Sequence, residues 1–114
     1  MALKRGDAMS ESDWKKISKL LPFLRERYLT EQNARLVRML TEQGKGDTDR
    51  FWDTLKEMKQ QSKILVQCLD DCSRSNMEAH MVQMLHVGML KQGDLAAFSE
   101  ELQKNLERWL TMAT

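Results

Sequence analysis

The hydrophobic pattern in the middle of the chain predicts a long helix that the other elements cover. From Phe51 onward, apolar residues recur in alternating steps of four and three, which is the period of one helical face. The positions are Phe51, Leu55, Met58, Leu65, Leu69 and Cys72, with Ser62 in the same register. Because apolar residues crowd the second half of this stretch, we expect a central helix from Asp47 to about Cys72, with Leu65 and Leu69 in the core.

The residues before this stretch predict a first helical region that begins near Ser10. Short hydroxyl and carboxylate side chains over 10–13 suit a helix start, because they accept hydrogen bonds from its free amides. The apolar stripe that follows passes through Pro22, which has no N–H and disfavours helical geometry at Leu21. We therefore expect a break or sharp kink there, with Pro22 opening a second helix that Gly44-Lys45-Gly46 ends.

The residues after the central stretch predict two more helices. Ser75 and Glu78 have the spacing of a capping box and open a helix that reaches about Lys91. Gly93 and Asp94 then end that helix and begin the last one. The apolar side of this last helix comprises Leu95, Phe98, Leu102, Leu106, Trp109 and Leu110.

Two parts of the chain match each other and suggest an internal repeat. Gly46-Asp47-x3-Phe51-x3-Leu55 corresponds to Gly93-Asp94-x3-Phe98-x3-Leu102, and a Leu- and Met-rich helix precedes each. The match is either a true structural repeat or a chance likeness between two amphipathic hairpins. Both explanations predict the same architecture. The sequence predicts an all-α, compact bundle of four to five helices as a single domain over 10–114, preceded by a disordered tail over 1–9.

The element Asp47-x3-Phe51-x3-Leu55, after its Leu-rich helix, resembles the closing helices of the caspase-recruitment branch of the death-fold adaptors. This resemblance implies a helical interaction module. The chain departs from that pattern because 10–33 is too short for the preceding helices of that fold and because a long segment follows Cys72. No functional residue is carried over.

Composition and charge narrow the class of protein. The chain has 114 residues, 31% of them charged, with one Pro, and its net charge is +1. Residues 1–63 hold 14 Lys and Arg against 10 Asp and Glu, whereas residues 64–114 hold 4 against 7. No apolar run is long enough to span a membrane, and residues 1–10 lack the apolar centre of a secretion signal. With two cysteines expected to stay reduced, we expect a cytoplasmic protein that does not associate with membranes.

The residues with metal-binding chemistry are Cys68 and Cys72, one helical turn apart, and His80 and His86. Their spacing is poor for a zinc site, so buried thiols and surface histidines are the preferred interpretation, without a metal or another cofactor. No phosphate-binding loop, nucleophile elbow or Ser-His-Asp arrangement is present, and we do not expect an enzyme.

Two surfaces are candidates for binding. Trp52 and Trp109 lie beside the apolar stripes, where an indole either caps the core or anchors a partner. The adaptable methionines Met77, Met81 and Met89 either fill the core or form the floor of such an interface. We expect a protein-binding module, such as an adaptor, inhibitor, chaperone or regulatory subunit, that binds another protein or forms a homodimer.

The alternative is a small nucleic-acid-binding regulator. Its candidate residues form the basic N-terminal half of the chain, where they either contact phosphates or remain a solvated helix face. They are Lys15, Lys19, Arg27, Arg35 and Arg38.

Overall fold

The computed structural model describes residues 10–113 of the chain, so the predicted tail over 1–9 lies outside the described residues. Four α-helices and one short 3-10 helix follow each other, and no strand occurs between residues 10 and 113. The helices are α1 (Glu11–Leu40), α2 (Asp47–Leu69), α3 (Met77–Val87), the 3-10 helix (Gln92–Ala97) and α4 (Glu100–Ala113). The predicted all-α bundle is therefore confirmed.

Helix α1 is continuous, so the predicted break at Pro22 is wrong. Ser10 caps the helix as expected, because its Oγ accepts a hydrogen bond from the amide of Asp13 at 3.1 Å. Pro22 lies at an exposed position inside the helix and removes one backbone hydrogen bond, at a cost of roughly 3 kcal/mol. Ile17 and Leu24, on either side of it, are fully buried. Their burial offsets that cost, since each such side chain stabilises the fold by roughly 1.5–3 kcal/mol.

The main core lies between the first half of α1, the end of α2 and all the elements that follow, and we call this part the lobe. Its buried apolar residues are Ile17, Leu24, Tyr28, Cys68, Met77, Met81, Val82, Met84, Met89, Leu90, Leu95, Phe98, Leu102 and Leu106. Helices α1 and α2 form a long antiparallel hairpin, joined by residues 41–46, whose tip extends beyond the lobe. The molecule is 61 Å long, and its radius of gyration of 17.1 Å exceeds the about 13 Å expected for a compact chain of this length.

Helix α2 is not the centre of the core, contrary to the sequence prediction. It ends at Leu69 rather than near Cys72, and its buried residues are Thr54, Gln61 and Cys68. Leu65 and Leu69 are only half-buried, on the edge of the core. The prediction failed because α2 turns a different face toward α1 from the one that carries most of its apolar residues.

The later elements also differ from their predicted bounds. Ser75 does not form a capping box with Glu78, because its hydroxyl contacts that of Ser73 at 3.2 Å and α3 begins after Asn76. Helix α3 stops early because Gly88 adopts a left-handed conformation with φ of 82°, which glycine accepts without strain.

The last predicted helix is divided into the 3-10 helix and α4, with the buried Phe98 between them. Ser99 follows Phe98, and its hydroxyl and amide both donate to the buried carboxylate of Asp13, at 2.6 and 3.0 Å. This contact ties α1 to the start of α4. The proposed repeat does not extend to the surroundings of its anchors, because Phe98 is buried whereas its counterpart Phe51 is exposed.

Candidate functional site

A chain of polar contacts joins α1 to α2 along the hairpin. The hydroxyl of Tyr28 donates to the Oε1 atom of Gln61, whose amide nitrogen donates to Glu57 at 2.8 Å. Glu57 also accepts from the guanidinium of Arg35 at 2.9 Å. Burial, with smaller contributions from nearby groups, raises the pKa of the Tyr28 phenol, which therefore remains a donor at neutral pH. We call this line of contacts the polar seam.

The polar seam determines which side chains share a side of the hairpin. Each helix turns by about 100° per residue. Because α1 and α2 run antiparallel, the residue after each seam residue points to the same side of the pair in both helices. Apart from Ser62, which follows Gln61, these positions and the ones that continue their spacing toward the tip are apolar, and we call the surface that they form the apolar side. Its residues are Leu29, Leu36 and Leu40 of α1, with Phe51, Leu55 and Met58 of α2.

The apolar side is open to solvent near the tip of the hairpin. Leu40, Phe51 and Met58 are each about half-exposed, at 49%, 55% and 50%. Leu36 is buried and Leu55 is half-buried on the same side. The described structure places no other element over this surface. Exposed large apolar side chains grouped in this way are typical of a binding surface.

Trp52 extends this surface toward the outer face of α2. Its ring meets that of Phe51 edge to face, with the centroids 5.0 Å apart and the planes at 88°. This is a favourable aromatic geometry that holds the two side chains in place. Val66, two helical heptads further along the same outer face, is 55% exposed. Trp52 itself is 59% exposed, so the structure places this predicted anchor where a partner can reach it.

Trp109, the second predicted anchor, belongs to the lobe. Its indole N–H donates to the Oε1 atom of Glu78 at 3.2 Å, and Asn105 donates to the other carboxylate oxygen at the same distance. Glu78 is buried, so these two donors satisfy a carboxylate that would otherwise be costly to enclose. Trp109 is 47% exposed and lies away from the hairpin tip, with its indole N–H held by Glu78.

The methionines of α3 and the turn after it do not form a surface. Met77, Met81 and Met89 are all fully buried. The prediction that these methionines form the floor of a binding groove is wrong, and the alternative prediction that they fill the core is confirmed. The reason is that α3 is covered by both α2 and α4.

The basic residues of α1 do not act as one surface. Arg27 forms a two-pronged ion pair with Asp94, at 2.6 and 3.1 Å, and donates to the carbonyl of Met89 at 3.0 Å. Asp94 in turn raises the pKa of this guanidinium. Arg35 belongs to the polar seam. The other candidate nucleic-acid-binding residues, Lys15, Lys19 and Arg38, are exposed along α1, as is Arg35 despite its ion pair with Glu57.

The thiols and one histidine meet where α2 ends, but they do not form a metal site. The Nδ1 atom of His80 lies 3.0 Å from the carbonyl of Cys68 and 3.7 Å from the sulfur of Cys72. Burial raises the pKa of both thiols, that of Cys68 to about 11, so both remain protonated at neutral pH. His86 is exposed and separate. Within residues 10–113, no group of three or more His, Cys, Asp or Glu side chains is arranged to hold a metal ion.

Two clefts on the described surface are open to solvent and lined by both charged and apolar residues. One lies beside α4, and the other lies on the polar side of the hairpin. The first is lined by Gln92, Leu95, Glu100, Gln103, Lys104, Leu106, Glu107 and Leu110, and the second by Met39, Lys45, Asp53, Lys56, Glu57 and Gln60. Neither cleft brings together a nucleophile, a base and an orienting group.

Comparison with known proteins provides no relative from which a function can be transferred. No protein family model matches the chain, and no curated protein or solved structure shows a significant match. No helix described in the structure is long and apolar enough to cross a membrane. The functional interpretation therefore depends on the residues themselves.

Sequence reasoning identified Trp52, which lies beside the apolar side. It assigned the α2 residues of the apolar side itself to the core. Phe51, Leu55 and Met58 were predicted to be buried because they form the most regular apolar stripe of the chain. The signal that separates the two faces is the neighbouring stripe of Thr54, Glu57 and Gln61. This polar stripe matches the polar residues of α1 in spacing, and it packs against α1 in place of the apolar stripe.

Proposed function

We propose that this protein is an interaction module that binds another protein chain through the apolar side of its hairpin. The observation that carries the proposal is the group of Leu40, Phe51 and Met58, each about half-exposed around the half-buried Leu55. Adaptor, inhibitor, chaperone and regulatory subunit are the roles that such a module fits.

The exposed aromatic pair is large enough to contribute substantially to binding. Phe51 and Trp52 are each more than half-exposed, which leaves about 100 Å² of apolar surface on each ring. Burying that area contributes about 2–3 kcal/mol per ring before the costs of association. Because the two rings already contact each other, their side chains lose little conformational freedom when a partner binds, and the entropy cost of binding at this point is small.

The hairpin also supports this role through its position. The lobe contains the main apolar core, and the tip of the hairpin extends beyond it. A substitution on an exposed side chain at the tip therefore changes the binding surface with little effect on the core.

Affinity capture from the native host, followed by mass spectrometry, tests the proposal with two matched variants. Met58→Asp places a charge on the apolar side, whereas Met112→Asp places it on α4 at a methionine that is more exposed, at 77%. We expect Met58→Asp to abolish capture of the specific partner and Met112→Asp to retain it. Equal capture by both variants, with both folded by circular dichroism, would show that the apolar side is not the binding surface.

The nucleic-acid alternative has less support from the structure. Arg27 and Arg35 are engaged by Asp94 and Glu57, which leaves three of its five candidate residues free for phosphates. Those three do not converge on one groove-sized surface, since Lys15 and Arg38 lie near opposite ends of the 30-residue helix α1.

A further inference from the structure

Helix α2 carries a heptad stripe that its own chain covers only in part. Phe51, Met58 and Ser62 on this stripe are exposed, whereas Leu55, Leu65 and Leu69 are half-buried. Residues 51, 55, 58, 62, 65 and 69 alternate steps of four and three, which is the seam of a two-stranded coiled coil. Helix α1 packs on the neighbouring face through Thr54, Gln61 and Cys68 instead. Such a stripe is complete only when a second helix of similar length and spacing lies on it.

The residues of the heptad stripe are arranged symmetrically about position 60, near the middle of α2. When a second α2 is laid antiparallel on the stripe, Phe51 comes opposite Leu69 of the second copy, and Leu55 comes opposite Leu65. Met58 meets Ser62 near the centre. The same register brings Trp52 close to Val66 of the second copy. All four large apolar side chains exposed on α2 (Phe51, Trp52, Met58 and Val66) thus acquire partners in one arrangement.

The area agrees with a small, specific dimer. With each of these four side chains at least half-exposed, two copies present on the order of 600–800 Å² of apolar surface. A standard interface buries about 1,200–2,000 Å² in total, a little over half of it apolar. The stripe with its polar rim therefore reaches the lower end of that range.

We propose that the occupant of the apolar side is a second copy of this chain, docked through an antiparallel contact between the two α2 helices around a two-fold axis. The interface is isologous, because the same patch of each copy contacts its equivalent. This inference rests on the proposed function and specifies its partner. The two-fold axis passes near Lys59, whose side chain meets its own copy there. The interaction between these like charges weakens association at low salt.

The first test measures mass by light scattering after size exclusion over a wide range of protein concentration. We expect wild type to reach twice the chain mass of 13.4 kDa. Val66→Asp should raise the dissociation constant about tenfold or more, because it buries a charge opposite Trp52. Val37→Asp is the matched control. Val37 is similarly exposed, at 60%, but it lies on the outer face of α1, and its variant should dimerise like wild type.

The second test determines direction and register, and it does not depend on whether Val66→Asp folds. In a Cys72→Ser background, Lys59→Cys should form a disulfide between copies, because the two positions lie within about 3 Å along the axis in this register. Val66→Cys occupies the same heptad position but is displaced from its equivalent by about 18 Å, and it should not cross-link to itself. A parallel dimer would cross-link at both positions and overturn the proposal.

The outcomes separate this inference from the proposed function. A chain that remains monomeric at all concentrations, while Met58→Asp still abolishes capture of another protein, overturns the inference and retains the proposed function. A dimer that is indifferent to Val66→Asp also overturns the inference, because its contact surface must lie elsewhere. A monomer whose capture is indifferent to Met58→Asp overturns both.

Discussion

Removing the carboxylate of Asp94 tests how the lobe is joined to α1. Asp94 accepts two hydrogen bonds from Arg27, at 2.6 and 3.1 Å, and one from the amide of Lys91 at 2.8 Å. The Arg27 and Asp94 side chains are largely enclosed, with 24% and 17% of their surfaces exposed. In Asp94→Ala, the carbonyl of Met89 is the hydrogen-bond partner that Arg27 keeps, and the start of the 3-10 helix loses its cap.

The magnitude follows from the contacts that are lost. Hydrogen bonds to charged groups each contribute about 1.5–3 kcal/mol, and partial exposure of the Arg27–Asp94 pair reduces this contribution. We therefore expect Asp94→Ala to lower the free energy of unfolding by about 2–3 kcal/mol. For a chain of this size that loss corresponds to a fall in Tm of about 10 °C.

The pH dependence provides a second observable. The guanidinium of Arg27 is the main group that lowers the pKa of Asp94 below its ordinary value. Because the folded-state pKa is the lower one, the stabilisation is fully present above the unfolded-state pKa and is lost as the pH falls through the folded-state pKa. Urea unfolding at neutral and acidic pH should show wild type and Asp94→Asn converging in acid. This reasoning would be refuted if Asp94→Ala lowered the free energy of unfolding by less than about 0.5 kcal/mol at neutral pH. It would also be refuted if the difference between wild type and Asp94→Asn stayed constant in acid.

Three further predictions test burial and charge. In dilute protein, urea unfolding should show that Leu106→Ala lowers the free energy of unfolding by about 3–5 kcal/mol. The same change at the half-buried Leu69 should lower it by about 1–2 kcal/mol, and equal losses would contradict the placement of the core. Because burial raises the pKa of Cys68 to about 11, thiol-labelling reagents should modify it slowly at neutral pH until denaturant is added, and rapid labelling of the folded chain would contradict its burial. Retention on DNA or RNA should be weak and should fall with added salt, whereas sub-micromolar binding at physiological salt that is lost with Lys19→Ala and Arg38→Ala would favour the nucleic-acid alternative.

The sequence was sufficient to predict the helical class, the start of α1 and the turn between α1 and α2. Periodic apolar residues, the cap at Ser10 and the breaker around Gly44 all act within a few residues of each other, so local rules identify them. The structure follows those rules at both places. The start of α2 at Asp47 is another case, because the residues that end one helix and begin the next are adjacent in the chain.

The faces of α2 could not be assigned from the sequence because two stripes compete along it. The apolar stripe through Phe51 predicts the core if every regular stripe is buried within its own chain. The polar stripe through Gln61 becomes the better face for packing against α1 only when Tyr28 lies opposite it. That pairing depends on how far α1 extends. Since α1 continues through Pro22, the hairpin is longer than predicted. The register between its helices is therefore a tertiary property.

The polar seam also explains how one chain can keep a stable fold and an open apolar surface. If α1 packed on the heptad stripe of α2, Phe51 and Met58 would be buried and the hairpin would have no surface for a partner. The hairpin instead uses hydrogen bonds between Tyr28, Gln61 and Glu57, which stabilise its internal contact only moderately because each replaces a bond to water. The apolar contacts that stabilise the chain are concentrated in the lobe, where the methionines of α3 are enclosed. Under the proposed function, stability and binding therefore depend on different faces of the hairpin, so substitutions at the exposed Phe51 and Met58 should change association while the lobe remains folded.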